Sequence, residues 1–436
     1  MNYIAIDLII LISSIVVGIP VPFCFMMAAL YMGIIFFPDF SFLMTIGFRG
    51  LNSLTILSIP FFIIAGALMS SAGIAERLTN FANSMLGRVR GGMGAASIVA
   101  CAIFGSISGT ASSAVACIGS IMIPRLTAMG YPRGYATGMI SCAAVLGQLI
   151  PPSVPMILYG WVTQQSVAAC FLSTVVPGIL TTTLFVIINY VMCGKFPKVR
   201  ERVESPLPRR ERNRLIASSA RKGFWSLLMP VIILGGIYGG VTTPTEAAAV
   251  AVLYAIIIGF FVHKELKPGI FFRSLRSAAV TSGVIVLMLF FVTILGRLYT
   301  MQQVPMKIAK FLLSTSDNKY VILLMVNVFL IIIGMLMDDL SGTMLAAPLL
   351  MPLMLQIGVH PIHFAAILGT NLGLGNVTPP TAPILYLGGR VGGVQIDEYL
   401  KPALIFIVFG FLPIILITTY VPNLSLFLPR LIMGIK

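Results

Sequence analysis

Residues 105–113 read GSISGTASS, a run of small residues with five hydroxyls and no charge, set inside apolar sequence. Gly94–Phe104 (GAASIVACAIF) leads into it and Ala114–Ile123 (AVACIGSIMI) leads out. Each arm is about half of the ~20 residues a spanning helix needs. The pattern predicts a re-entrant hairpin, in which one half-helix enters, a polar tip turns at depth and a second half-helix returns. Non-helical backbone survives at that depth only where protein buries it or it lines a watery cavity. Ser106, Ser108, Thr110, Ser112 and Ser113 supply hydroxyls, and Gly105 and Gly109 let backbone groups face outward. The alternative is a Gly/Ser-rich helix interface, where small residues permit close packing.

The pattern returns. Asp338–Thr343 (DDLSGT) repeats Ser-Gly-Thr between the apolar runs Ile322–Met337 and Met344–Leu355. Pro151–Gly160 (PPSVPMILYG) and Pro379–Gly388 (PPTAPILYLG) lie 228 positions apart, as do Pro124 and Pro352, and Gly130 and Gly358. Ile74, Leu78 and Phe81 match Val304, Ile308 and Phe311 at 230. The two Ser-Gly-Thr triplets align only at 233, with a gap; without it Thr110 falls opposite Asp338. The sequence leaves both pairings open. Two copies of a broken hydrophobic unit in one membrane chain are the pattern of a secondary transporter with its site between the repeats.

Composition fixes the class. With 58% hydrophobic and 9% charged residues, the chain reads as an all-α polytopic membrane protein. The short alternating segments of a β-barrel are missing. The net charge of +15 does not indicate nucleic acid, because the bases lie in loops: Lys195–Lys222 holds ten Lys/Arg against three acids, as a cytoplasmic loop should. The six cysteines are scattered through apolar runs without a CxxC pair, so neither disulfides nor a transition-metal site is indicated. His360 and His363 flank Pro361 and read as interfacial. Met1–Val17 lacks a basic n-region and carries Asp7, so it reads as a retained helix.

The expected organisation is a first inverted repeat over 1–194, a basic cytoplasmic loop over 195–222 and a second repeat over 223–436. The hairpins fall at about 93–125 and 319–358. The broken helices fall at about 135–162, interrupted at Pro151, Pro152 and Pro155, and at about 361–390. Ala72–Arg90 and Val304–Ser316 read as amphipathic helices in the interface plane. Thr243-Pro244-Thr245-Glu246 matches a capping box, so Glu246 reads first as a cap. Lys264–Arg276 reads as a basic connection before the span Ala278–Leu298. The positive-inside rule opens the first hairpin from the cytoplasm and the second from the periplasm, and puts both termini outside. Arg297, Lys307, Lys310 and Lys319 are the outer-side exceptions.

Half-helix N-termini and hydroxyls suit an anionic group, and freed carbonyls suit a dehydrated cation. The expected substrate residues are Ser108, Thr110 and Ser112 on the first tip and Ser341 and Thr343 on the second. The expected sodium residues are Ser106, Ser108, Gly109, Gly147 and Pro151 in the first unit, and Asp338, Asn371, Gly373, Gly375, Thr378 and Pro379 in the second. Gln148 is a lone polar group just before the first break. Asp338 and Asp339 are intramembrane acids, which are costly and by default functional; the alternative is that one of them caps the returning half-helix. No catalytic residue and no cofactor is expected beyond sodium as a coupling ion.

Several motifs together carry a family likeness: GIPVPF (Gly18–Phe23), IPFFIIAGALM (Ile59–Met69), GSISGTASSA with IGSIMIP (Ile118–Pro124), and GYPRG (Gly130–Gly134). IPPSVPMILYG (Ile150–Gly160), TPTEAAAVAVLY (Thr243–Tyr254) and GMLMD (Gly334–Asp338) extend it. The chain resembles the large membrane subunit, DctM, of tripartite ATP-independent periplasmic (TRAP) transporters along essentially its whole length. The resemblance implies sodium-coupled, elevator-type import of an organic acid, such as a sialic acid or a C4-dicarboxylate, across the bacterial inner membrane. It also implies a small four-helix membrane subunit and a periplasmic substrate-binding protein as partners. The chain departs from the family after Pro379-Pro380, where Thr381, Ala382, Pro383 and Ile384 stand in place of the usual Gly, Val and Asn.

The rival classes are an ion channel, a stand-alone anion symporter without a binding protein, an intramembrane enzyme and an ATP-driven permease. No HExxH, GxSxG or GxGD pattern supports the enzyme, and no GxxxxGK[ST] supports a nucleotide site. The charge argument predicts that a cysteine at position 205 is labelled only from the cytoplasm and one at position 423 only from the periplasm. Labelling of both from one side would remove the inverted arrangement.

Overall fold

The computed structural model describes residues 2–37, 39, 41–86, 91–197, 199 and 209–435, which form helices and their connections. Among them, seven helices are long and apolar enough to cross a membrane, or nine if each bent pair is one span. The first half begins with α1 (Asn2–Val16), α2 (Val21–Phe36), α3 (Phe42–Leu51) and α4 (Leu54–Ser71). The amphipathic α5 (Ile74–Leu86) follows, then the hairpin α6 (Gly92–Ser108) and α7 (Ala111–Ala128). Next come the broken span, α8 (Arg133–Leu149) and α9 (Val154–Val162), and the long α10 (Val167–Met192).

The second half opens with α11 (Arg209–Lys222), α12 (Phe224–Tyr238), α13 (Pro244–Val262) and α14 (Pro268–Met301). It then repeats the first: amphipathic α15 (Val304–Thr315), hairpin α16 (Lys319–Leu336) and α17 (Asp339–Gln356), broken span α18 (Pro361–Gly375) and α19 (Pro383–Gly392), and α20 (Ile396–Tyr420). A final α21 (Pro422–Met433) packs on α10. In the other layer, α4 packs on α13 and α14, and α2 packs on α14.

Local chemistry explains several boundaries. The box at α13 forms: Thr243 Oγ1 accepts from Glu246 N at 3.3 Å, and Glu246 Oε2 accepts from Thr243 N at 2.8 Å. Glu246 is therefore a cap. Pro155 lies in the first turn of α9, where a missing N–H costs nothing, so only Pro151 and Pro152 stand in the break. The Pro151-Pro152 and Pro379-Pro380 bonds are both cis, 228 positions apart.

Several sequence expectations change. The hairpin arms are not half-spans: α6 has 17 residues and α7 has 18, or about 25 and 27 Å at 1.5 Å per residue. They are still re-entrant, because the tip stops at the break while α9 continues for nine residues beyond it. Of the basic stretch Lys264–Arg276, residues 264–267 are a connection and the rest begins α14, a single helix of 34 residues. Residues 209–222 of the basic loop are helical, and 201–208 lie outside the described residues, as do 87–90 of the first amphipathic segment. At the start of α18, His360 caps the helix, its Nδ1 accepting from Ile362 N at 3.1 Å, and His363 is buried, 3% exposed, with Nε2 2.8 Å from the Thr418 carbonyl oxygen.

Each hairpin touches its broken helix backbone to backbone. A Cβ on Gly147 would lie 2.9 Å from Gly105 Cα, and one on Gly334 would lie 3.0 Å from Gly375 Cα. Gly105 and Gly375 have no more room on their side of the contact. Overpacking of this kind costs about 1–3 kcal/mol. Gly105→Ala and Gly375→Ala should therefore each lower the midpoint of thermal unfolding in detergent. Gly235→Ala, which meets nothing within 4 Å, should not. Equal midpoints for all three would show that the contacts are slack.

Candidate functional site

The first tip is built by one left-handed residue and one cap. Gly109 has φ +67° and donates its N–H to Gly105 O at 2.8 Å, which ends α6. Its own carbonyl accepts from Val154 N at 3.1 Å, which ties the tip to the first residue of α9. Thr110 then stands extended at the N-cap of α7, with Oγ1 donating to Ser113 Oγ at 2.9 Å. Ser106 and Ser108 turn inward: their hydroxyls donate to Ile103 O at 2.7 Å and Thr110 O at 3.4 Å. Where the first tip joins the first break, Gly147 meets Gly105 and Thr110, and Gly109 meets Pro152, with Ser106 and Pro151 next to them in the chain.

The second tip resolves the open alignment. Asp338 is the N-cap of α17, as Thr110 is of α7, so the ungapped displacement of 228 is the structural one. The Asp338 carboxylate accepts from Leu340 N at 3.3 Å and from the Ser341 hydroxyl. Ser341 corresponds to Ser113, and the cap-to-third-residue bond recurs with a carboxylate in place of a hydroxyl. Asp338 is therefore a helix cap, although it also faces the cavity described next. Thr343 Oγ1 donates back to Asp339 O at 2.7 Å.

Between the tips and the α4–α14 layer lies a cavity of about 750 Å³. Thr110, Ser112 and Ser113 line it from the first tip, Asp338 and Asp339 from the second, and Asn376 and Thr381 from the second break. Ile63 and Ala67 of α4 and Ser277 and Thr281 of α14 form the opposite wall, with Tyr386 and Arg390 of α19 below. Of the expected substrate residues, Thr110 and Ser112 line the cavity, whereas Ser108, Ser341 and Thr343 spend their hydroxyls within the hairpins. Gly375, Thr378 and Pro379 form the second junction, where Thr378 Oγ1 donates to Leu374 O at 2.7 Å. Asn371 points elsewhere: Nδ2 donates to Asn327 Oδ1 at 2.9 Å, which also accepts from Thr419 Oγ1 at 3.1 Å.

Gln148 is not alone. With its amide oriented to satisfy both ends, Nε2 donates to Asp339 Oδ2 at 2.5 Å and Oε1 accepts from Gly373 N at 3.2 Å. A residue of the first repeat thereby clamps the second tip.

Three further groups escaped the sequence reading. Both amide atoms of Asn376 are buried without a hydrogen-bond partner, as are the hydroxyls of Ser153 and Thr381. Ser153 and Thr381 are themselves repeat mates, each directly following its Pro-Pro pair, and Asn376 is the mate of Gln148. The signal was present in the polar residues that immediately flank each Pro-Pro. Buried polar atoms in native proteins nearly always have partners, so unpartnered oxygens at two matching breaks mark places for a ligand.

Comparison with known proteins follows from this geometry. The family described as tripartite ATP-independent periplasmic transporter, DctM component, matches residues 8–424. The isethionate TRAP transporter permease protein DctMQ of Oleidesulfovibrio alaskensis is 39% identical over 88% of this chain, and this chain spans 59% of its length. The sialic acid TRAP transporter large permease protein SiaM of Vibrio cholerae is 35% identical over 88% of each chain. The C4-dicarboxylate TRAP transporter large permease protein DctM of Pseudomonas aeruginosa is 35% identical over 86% of each. Among solved structures, the YdaH transporter of Alcanivorax borkumensis shares the fold, with a TM-score of 0.54 over 86% of this chain and 89% of that one at 13% identity. Because the match runs from α1 into α21 and takes in both hairpins and both breaks, the chain belongs to the DctM component family of tripartite ATP-independent periplasmic transporters.

Proposed function

We propose that this chain is the sodium-coupled membrane component that imports a small organic acid across the inner membrane by an elevator movement. The isethionate, sialic acid and C4-dicarboxylate named for its relatives set the substrate class: a compact acid that also carries polar groups. The observation that carries the reading is the repeat-related pair Ser153 and Thr381, two buried hydroxyls without partners beside two freed helix ends. A sodium ion at each break would give these oxygens a partner.

Coupling follows from charge. Asp338 and Asp339 face the same cavity as the tip hydroxyls. Like charges 4 Å apart repel by about 4 kcal/mol at an effective dielectric of 20, so an organic anion beside these acids is unfavourable alone. A cation at the adjacent break offsets that repulsion, so sodium and the anion favour each other's binding. The hairpins and broken helices would carry both across while α2, α4, α13 and α14 stay in place. The small membrane subunit would extend that fixed layer, and the periplasmic binding protein would deliver the acid.

The first hairpin packs closely on α4 and α5, where a Cβ on Gly66 would lie 3.2 Å from Ser108 Cα, but its polar tie to α5 is exposed. Arg125, on α7, bonds Glu76 Oε1 at 2.9 Å and Asn80 Oδ1 at 2.8 Å on α5. On its other side α5 is tied to the connection before α14 by Arg77–Glu265 at 2.8 Å. Exposed pairs are worth about 0–1 kcal/mol, little enough to break in every cycle.

Two outcomes are expected in liposomes holding the chain with its small subunit and loaded binding protein under an inward sodium gradient. Ser153→Ala and Thr381→Val should raise the sodium concentration for half-maximal uptake about tenfold, the effect of losing roughly 1.4 kcal/mol at an ion, without loss of folded protein. Unchanged sodium dependence in both would sink the sodium assignment. A disulfide between Glu76→Cys and Arg125→Cys should stop uptake until reduced, whereas one between Arg77→Cys and Glu265→Cys should not. The reverse result would exchange the fixed and moving parts.

A further inference from the structure

We propose that Arg390 is the specificity-determining residue of the cavity, the group that pairs with the acid head of the transported molecule. The proposal rests on the organic-acid reading above and adds to it the residue and the kind of head group. Arg390 lies on α19 and is the one basic side chain among the residues that line the cavity, which also holds Asp338 and Asp339. It is exposed, and no hydrogen bond or ion pair to its guanidinium is found among the described residues.

Its repeat mate, at the same displacement of 228, is the apolar Val162. The fold therefore does not require a charge at this position, and the second repeat has acquired one on the cavity side. A basic residue in the last turn of a helix also complements the helix dipole. That role alone would suit any face, whereas this side chain stands on the face that lines the transport route.

The surroundings position it. Tyr386, one turn earlier on the same face, donates its hydroxyl to Pro380 O at 2.9 Å, which ties this face of α19 to the break. Tyr386 and Arg390 also line an adjoining vestibule of about 610 Å³ that runs on to Gln395 and Glu398. Glu398 is engaged in its own cap, accepting from Gln395 N at 3.4 Å. Arg390 thus stands at the junction between cavity and vestibule with its guanidinium unclaimed. Its planar fork matches two oxygens of a carboxylate or sulfonate at once, which a lysine cannot do. The bound molecule would point its acid head at Arg390 and its hydroxyl-bearing part at Thr110, Ser112 and Ser113.

The test measures binding of N-acetylneuraminate, succinate and isethionate, one at a time, to the purified complex of this chain with its small subunit in sodium buffer. Arg390→Gln should weaken binding of the acid that the unaltered complex takes by tenfold or more, and Arg390→Lys should weaken it less. Arg390→Cys should regain binding when modified with 2-aminoethyl methanethiosulfonate, which restores a positive charge, and not with the 2-sulfonatoethyl reagent. The six native cysteines are buried and leave this labelling clean. Wild-type affinity in Arg390→Gln, or equal effects of the two reagents, would overturn the assignment while the organic-acid reading stands. If the unaltered complex binds none of the three acids, the organic-acid reading fails and the assignment fails with it.

Discussion

At Gly105 and Gly147, and again at Gly334 and Gly375, a hairpin arm meets the helix that breaks beside it with no side chain between. A broken helix in hydrocarbon strands backbone groups, each costing several kcal/mol if left unpaired. Here the hairpin and the break answer one another. Gly109 O takes the Val154 N–H of the first break. In the second unit, Ile384 N reaches across its own break to Asn376 O at 3.1 Å. The close glycine approaches hold each hairpin against its break, and with it the tip groups that line the cavity.

The same geometry carries different electrostatics in the two halves. Thr110 and Asp338 occupy one structural position and each bonds the residue three further on, Thr110 as donor to Ser113 and Asp338 as acceptor from Ser341. One is neutral and the other a carboxylate. The second unit also holds Asp339 and Arg390, where the first has Ala111 and Val162. The backbone is thus symmetric by repeat, and the charge is concentrated on one side.

Much of this was legible in the sequence because it lies in glycine, proline and hydrophobic spacing. The two hairpins, the two breaks, the displacement of 228 and the cap at Glu246 all follow from local rules. What was not legible depended on third dimensions of packing. The sequence shortens the first arm because the polar Ser106 and Ser108 read as loop, yet Ser106 bonds back within α6 and Ser108 bonds Thr110, the N-cap of α7. Asn371 reads from sequence as a sodium residue, and in the structure its Nδ2 bonds Asn327 while its Oδ1 is buried without a partner. Ser153 and Asn376 went unnoticed because only the structure shows that their polar atoms lack partners. Nothing in the sequence singles out Arg390, and only the packing of α19 places it on the cavity.

α14 has a consequence for the lipid. Its 34 residues measure about 51 Å, against a hydrocarbon core near 30 Å. Its apolar stretch, Ala278–Leu298, is about 31 Å long and matches that core, so the basic first turns project beyond it. Ser277, Thr281 and Ile285 of the same helix form one wall of the cavity. The wall of the chamber therefore begins at the level where this helix passes from its basic to its apolar part.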